Sequence, residues 1–307
     1  MTPTTTTTVL GLSAAIIWGA ADFSGGIGAR YLRVYWLLAI SHASSLIALV
    51  LLAGLLHQPF PGERILAYGL VAGLAGGIAL LVFYYALSLG SMGTTAAVTG
   101  LLTAALPVLF SLTTIGTPSR RQLVGFVLAA GAIWLISSPS SPNEQVVEGQ
   151  GKKLVLAVIS GTGFGIFLIA LREANSGGLF WPLAASRVGS LSLAILGGLI
   201  LSRGRYIVEP EPQTIRPPQT SASMQKAIRR RCMVGIGLAL IAGTFDTSGN
   251  FLFVAATRIG RLDVAAVLAS LYPASTILLA AWLLKERTNR RQALGMTAAL
   301  VAVALIS

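Results

Sequence analysis

Five polar side chains stand inside stretches of sequence that are otherwise almost wholly apolar. Asp22 follows Trp18 by four residues, so the two share one face of a helix. Asp246 and Asn250 are also four apart, on a face that continues to Phe253. His42 and Arg187 each sit in the body of a further apolar run. An ionisable group in hydrocarbon costs several kcal/mol unless it is paired or hydrated, so each is a candidate for holding a substrate, a proton or a partner charge. Plainer readings exist beside that one. Asp22 could pair with Arg30 or Arg33 at a membrane surface, and His42 and Arg187 could simply fasten helices together.

Around these groups lie residues that shape a binding surface. Pro107 and Pro273 fall inside apolar runs, and each loosens the carbonyl one turn earlier, near Thr103 and Ala269. Where such a break lines a cavity it offers polar backbone to a substrate; where it is buried it only bends the helix. Tyr272 beside Pro273, and the Tyr84-Tyr85 pair, could stack on a planar substrate or anchor at headgroup level. Other chemistry finds no support. There is no Gly-rich phosphate loop, no His-Glu-x-x-His zinc motif and no strained serine turn, and His42 and His57 have no ligand-spaced partner. The chain is therefore expected to be no enzyme, to need no cofactor or metal, and to run without ATP.

The elements that hold these residues follow from composition. Of 307 residues, 54% are hydrophobic and only 10% are charged, and the mean hydropathy is +0.78. That excludes an ordinary soluble domain and a large appended one. Ten apolar runs of membrane-crossing length can be marked: 9–28, 34–56, 66–89, 94–114, 122–138, 153–171, 178–202, 233–256, 263–284 and 291–307. They are continuous, not alternating, so the fold class expected is an all-α integral membrane protein. One cysteine, Cys232, allows no internal disulfide. The threonine tract up to Thr8 lacks a basic leader and does not look like a cleaved signal. The net charge of +12 is expected in short loops facing anionic headgroups, not on a nucleic-acid surface.

The runs also repeat. Tyr35–Leu46 matches Phe180–Leu191 at an offset of 145, with six identities in twelve positions. Arg120-Arg121-Gln122 and Gly125 match Arg290-Arg291-Gln292 and Gly295 at an offset of 170, and Trp18-Gly19 corresponds to Phe164-Gly165 at 146. The jump of 25 falls between the seventh and eighth runs, which makes 203–231 an insertion. Its Pro210, Pro212, Pro217, Pro218 and Arg229-Arg230-Arg231 read as a flexible basic segment outside the bilayer. Two repeats of five spans follow: residues 1–138, a linker at 139–152, and residues 153–307 carrying the insertion. Because five is odd, the second repeat enters the membrane from the opposite side, as in many secondary transporters. Gly69, Gly73 and Gly77, and Gly161 with Gly165, form small-residue lines for close helix contact.

Ala265-Ala266-Val267 through Leu271-Tyr272-Pro273, then Trp282-Leu283-Leu284-Lys285-Glu286-Arg287, Arg291-Gln292 and Gly295, resemble the EamA signature of the drug/metabolite transporter superfamily. Trp18-Gly19 and the twofold repeat agree, and the resemblance covers the chain apart from the insertion. The first half departs from it: Arg120 follows Pro107 after 13 residues where Arg290 follows Pro273 after 17, so no counterpart of Glu286 is present. The resemblance implies a central cavity lined by the first, third, fourth, sixth, eighth and ninth spans. On these lie Trp18, Asp22, Tyr84, Thr103, Phe164, Asp246, Asn250 and Tyr272, with His42 and Arg187 as a polar pair by repeat equivalence.

The function expected is that of a secondary transporter in the cell (inner or plasma) membrane, exporting small metabolites such as amino acids, amines or drug-like organic cations by alternating access. An acidic residue, Asp246 first and Asp22 second, is expected to bind either a proton as coupling ion or the amine of a substrate. The expected partners are a small-molecule substrate and membrane lipids, not nucleic acid, and the chain is expected as a monomer or homodimer. The rival readings are a passive facilitator of the same fold, a membrane enzyme acting on lipids, and a scaffold. Fifteen basic residues fall in the loops on one side and six on the other, so the positive-inside rule places both termini outside, whereas relatives in the family more often have them inside.

Overall fold

The computed structural model describes residues 2–88, 92–137, 150–203, 221–283 and 289–306. Among these residues there are eleven α-helices and no strands. They are α1 (Pro3–Gly28), α2 (Val34–Leu55), α3 (Glu63–Ser88), α4 (Met92–Thr114), α5 (Arg120–Ile136), α6 (Gln150–Glu173), α7 (Phe180–Arg203), α8 (Ser221–Ile259), α9 (Leu262–Ala269), α10 (Tyr272–Leu283) and α11 (Arg290–Ile306). A short 3₁₀ turn, Ala174–Gly177, follows α6. Seven described helical segments are long and apolar enough to cross a membrane, the seventh being α9 and α10 together. Val127, Trp282 and Leu300 are 75%, 76% and 73% exposed on the outside, a surface that suits lipid and not water. The chain is a multi-pass membrane protein.

The helix boundaries follow from local chemistry. Thr2 accepts a hydrogen bond from the Thr5 amide and Pro3 occupies the first turn, so the threonine tract is helical and α1 starts six residues before the apolar run does. In α5 the Ser119 hydroxyl accepts from the Gln122 amide and the Gln122 side chain accepts from the Ser119 amide. The start of α11 repeats the device: Asn289 Oδ1 accepts from Gln292 N at 2.8 Å, and Gln292 Oε1 accepts from Asn289 N at 3.0 Å. The glutamine of the Arg-Arg-Gln motif is thus a capping residue.

Two expectations need correction. Ser221–Arg231, read as part of a flexible segment, is the first part of α8; past Pro218 nothing opposes a helix in Ala222, Met224, Gln225, Lys226 and the arginines. The two prolines also differ. Pro107 sits within a continuous α4, whereas the ninth run breaks at Ser270-Leu271, one turn ahead of Pro273, into α9 and α10. The signature residues Leu284–Arg287 and most of the linker lie outside the described residues.

Packing relies on glycine. α3 lies on α7 because Gly69, Gly73 and Gly77 sit against Pro182 O, Ser186 O and Ser190, where a Cβ would collide at the first two and be crowded at the third. Gly243 brings α8 onto α2 in the same way, against Ser41 O. Gly19 of α1 meets Tyr272 O of α10, and Gly165 of α6 meets Leu106 and Leu102 O of α4. α5 and α11 cross antiparallel: Gly125 touches Ile306 and Ala302 O, and Gly295 touches Ile136 and Ala132 O. These approaches leave a cavity at the centre.

Candidate functional site

The central cavity, about 660 Å³ with the open space beyond its mouth included, is walled by α1, α2, α3, α4, α6, α7, α8 and α10. Its charged groups are Asp22 from α1, Arg187 from α7 and Asp246 from α8. Trp18, Phe164, Phe167 and Tyr272 supply aromatic walls, and the backbone of Gly73, Gly76 and Gly77 lines the α3 side. At one end the space closes beyond Leu168 on a packed layer that includes Ala14, Leu49, Ala72, Leu171, Leu183 and Phe253, with Trp18 and Phe253 in ring contact at 5.7 Å. The rim at that end is fastened by Trp181 Nε1 donating to Gln58 O at 3.1 Å and by Arg258 donating to Asn175.

Arg187 is the hub. Its Nη2 lies 2.6 Å from Asp246 Oδ2 and donates to Thr247 Oγ1 at 3.3 Å. Its Nη1 faces His42 Nε2 at 3.4 Å. Guanidinium can only donate, so Nε2 must accept, and the ring proton resides on Nδ1. Nδ1–H then donates to Ser190 Oγ at 2.6 Å, and Ser190 Oγ donates to Ser186 O at 3.0 Å. The chain of donors runs one way and requires a neutral His42. Arg187 is 3% exposed and its Nε has no partner, so one donor of the fork stays unused. Asn250 Nδ2 donates to Asp246 Oδ2 at 3.3 Å from behind, fixing the carboxylate.

Asp22 differs from Asp246. No basic side chain pairs with it among the described residues: Arg33 bonds the Tyr35 hydroxyl, and Arg30 O accepts from Arg231. Asp22 lies within electrostatic reach of Asp246, Tyr84 and Tyr272. The cavity therefore holds two acids and one arginine, and the arginine is committed to one acid.

Of the residues expected to bind substrate, Trp18, Asp22, Thr103, Phe164, Asp246 and Tyr272 line the cavity, as do His42 and Arg187. Tyr84 and Asn250 do not. Tyr84 is buried with its hydroxyl against Gly25, and Asn250 is wholly buried behind Asp246. Thr103 turns its hydroxyl to Thr99 O at 2.8 Å, within its own helix. Sequence reasoning missed the contributions of Ser186, Ser190, Phe167 and Leu168. The serines were visible as identities in the Tyr35–Leu46 and Phe180–Leu191 match; the two apolar residues gave no signal.

A glycine-packed helical bundle around a polar cavity, closed at one end, is an architecture that suits a membrane carrier. The model of the EamA-like transporter family matches residues 152–307, just over half of the chain, and the chain belongs to that family. No curated protein sequence matches the chain. Solved structures do, and one described as the crystal structure of a protein superposes with a TM-score of 0.68, covering 98% of this chain and 96% of its own, at 17% identity. That likeness shows the fold alone.

Proposed function

We propose that the chain is a secondary transporter of the cell membrane that exports small metabolites bearing a positive charge (amines, amino acids or organic cations) by alternating access. The observation that carries the proposal is the charge balance of the cavity. Arg187 is bound to Asp246, which leaves Asp22 without a cation among the described residues that line the cavity. A substrate ammonium at Asp22, or a proton there once the substrate has left, restores neutrality; the two compete for one carboxylate, which is the logic of proton-coupled exchange. Trp18, Phe164 and Tyr272 around the acid suit the apolar or planar remainder of such a substrate.

Alternating access requires two bodies that rock around the site, and we take these to be inverted repeats of five spans each, residues 1–138 and 153–307. Support comes from contacts that recur at the sequence offsets. Gly73 against Ser186 matches Gly243 against Ser41, and Gly19 at Tyr272 O matches Gly165 at Leu102 O. Gly125 against Ile306 matches Gly295 against Ile136. On this reading, the packed layer beyond Leu168 and the Asn175–Arg258 fastening correspond to a state closed at that end.

The test is counterflow in proteoliposomes with separate labelled pools of amines, zwitterionic amino acids, nucleosides, sugars and carboxylates, with and without a pH gradient. Uptake confined to pools bearing an ammonium, and accelerated by a proton gradient of one direction, is the expected result. Uptake of carboxylates or sugars alone, or rates indifferent to the gradient, would contradict the proposal.

A further inference from the structure

α8 is longer than a membrane requires. Its 39 residues extend about 58 Å at about 1.5 Å per residue, against about 30 Å of bilayer hydrocarbon. The excess is at the start, where Ser221–Arg231 leads into the apolar Met233-Val234. Lys226, Arg229, Arg230 and Arg231 are all exposed there. Lys226, Arg229 and Arg230 stand at i, i+3 and i+4 and so share one face of the helix. Arg231 is about 100° further round, and it is turned onto the body of the protein by donating to Arg30 O at 3.3 Å. That contact fixes the roll of the helix and directs the other three away from the bundle.

Height matters as much as direction. Lys226 to Arg231 covers about 7 Å of helix, beginning where the apolar sequence stops, and the headgroup layer of a bilayer is about 5–7 Å deep on each side. The three side chains are therefore held at the level of lipid phosphates, closer to them than to any soluble macromolecule. The charge of this end suits such a partner. Outside the cavity, the described acidic residues Glu63, Glu173 and Asp263 all lie at the opposite end, where Arg172 pairs with Glu173 and Arg261 with Asp263. The segments joining the helices at the Arg231 end add five glutamates in sequence, against fifteen lysines and arginines on that side.

We infer that Lys226, Arg229 and Arg230 form a binding surface for the phosphate headgroups of anionic phospholipids, held at headgroup depth by the rigid continuation of α8. The inference is independent of what the cavity carries.

Cys232, the chain's single cysteine, is exposed beside this face and provides the probe. The full-length protein, labelled there with an uncharged fluorescent donor, is placed in phosphatidylcholine vesicles containing traces of acceptor-labelled phosphatidylglycerol or acceptor-labelled phosphatidylcholine. The expected result is more energy transfer to phosphatidylglycerol, an excess that falls about fivefold or more in Lys226→Gln, Arg229→Gln, Arg230→Gln combined. The charge-preserving Lys226→Arg, Arg229→Lys, Arg230→Lys protein keeps the excess, which separates charge from folding. Equal transfer to the two lipids in the unmodified protein overturns the inference, as does an excess that survives the glutamine substitutions. Loss of the excess on adding millimolar inorganic phosphate, but not chloride of equal ionic strength, assigns the surface to free phosphate and also overturns it. Capture of soluble RNA with no preference between the lipids does the same.

Discussion

The half of the chain from α1 to α5 and the half from α6 to α11 are joined by matching backbone contacts but carry unlike side chains at the cavity. Gly73 of α3 and Gly243 of α8 each admit a serine carbonyl from the other half. Three residues on from each stand Gly76 and Asp246, both lining the cavity, one empty and one charged. His42 in α2 corresponds to Arg187 in α7, and Asp22 in α1 to Leu168 in α6. The frame is thus nearly even between the halves while the charge is not. Positions that set how closely helices approach admit only glycine in either half. Positions facing the cavity are free to diverge, and their divergence makes one asymmetric site from two similar halves.

The comparison is broken most severely at Arg187. Arg187→Gln leaves Asp246 without its cation and is expected to cost about 3 kcal/mol, with Arg187→Gln, Asp246→Asn recovering a large part of that. His42→Gln, at the equivalent position, is expected to cost clearly less, because a neutral hydrogen-bonded side chain is lost and no charge is stranded. Denaturant unfolding in detergent reads both, and equal losses at the two positions would refute the asymmetry.

The frame is probed next. Gly73→Ala and Gly243→Ala put a methyl against a backbone carbonyl and are each expected to destabilise by about 1–3 kcal/mol, the first more, since its Cβ lies closer to the carbonyl. Gly131, which has open space where a methyl would stand, serves as the control, and Gly131→Ala is expected to stabilise by about 0.5–1 kcal/mol. Thermal unfolding that ranks Gly131 with the other two would remove the packing argument.

Sequence alone made the all-helical membrane class legible and the site less so. Apolar runs marked the helices because hydrocarbon enforces length and composition, although seven described segments, not ten, qualify as spans. The offsets of 145 and 170 paired residues whose contacts recur. The pairing of Arg187 with Asp246 was not legible: they lie on different helices, and spacing along the chain does not say which helices share the packing of α2. The unlike outcomes at Pro107 and Pro273 were also hidden, because a proline removes one hydrogen bond in either helix and the surroundings decide whether the helix stops. The helical start of α8 was obscured by the four prolines before it, which made the whole insertion look unstructured.

A smaller effect sharpens the even side of the comparison. Ser119→Ala and Asn289→Ala each remove one capping acceptor and are expected to cost about 1 kcal/mol apiece, alike within experimental scatter. A loss at one end only would mean that the caps of α5 and α11 are not equivalent.

The central claim is that Asp22, not the arginine-bound Asp246, receives the positive charge that is carried. Its most direct test is uptake of a labelled monocationic amine into proteoliposomes by the unmodified protein, Asp22→Asn and Asp246→Asn, with each rate normalised to the amount of folded protein, since Asp246→Asn also strands the Arg187 cation. Asp22→Asn is predicted to abolish uptake with its stability intact, whereas Asp246→Asn retains a measurable rate with changed affinity. Full uptake by Asp22→Asn, with loss confined to Asp246→Asn, would contradict the claim.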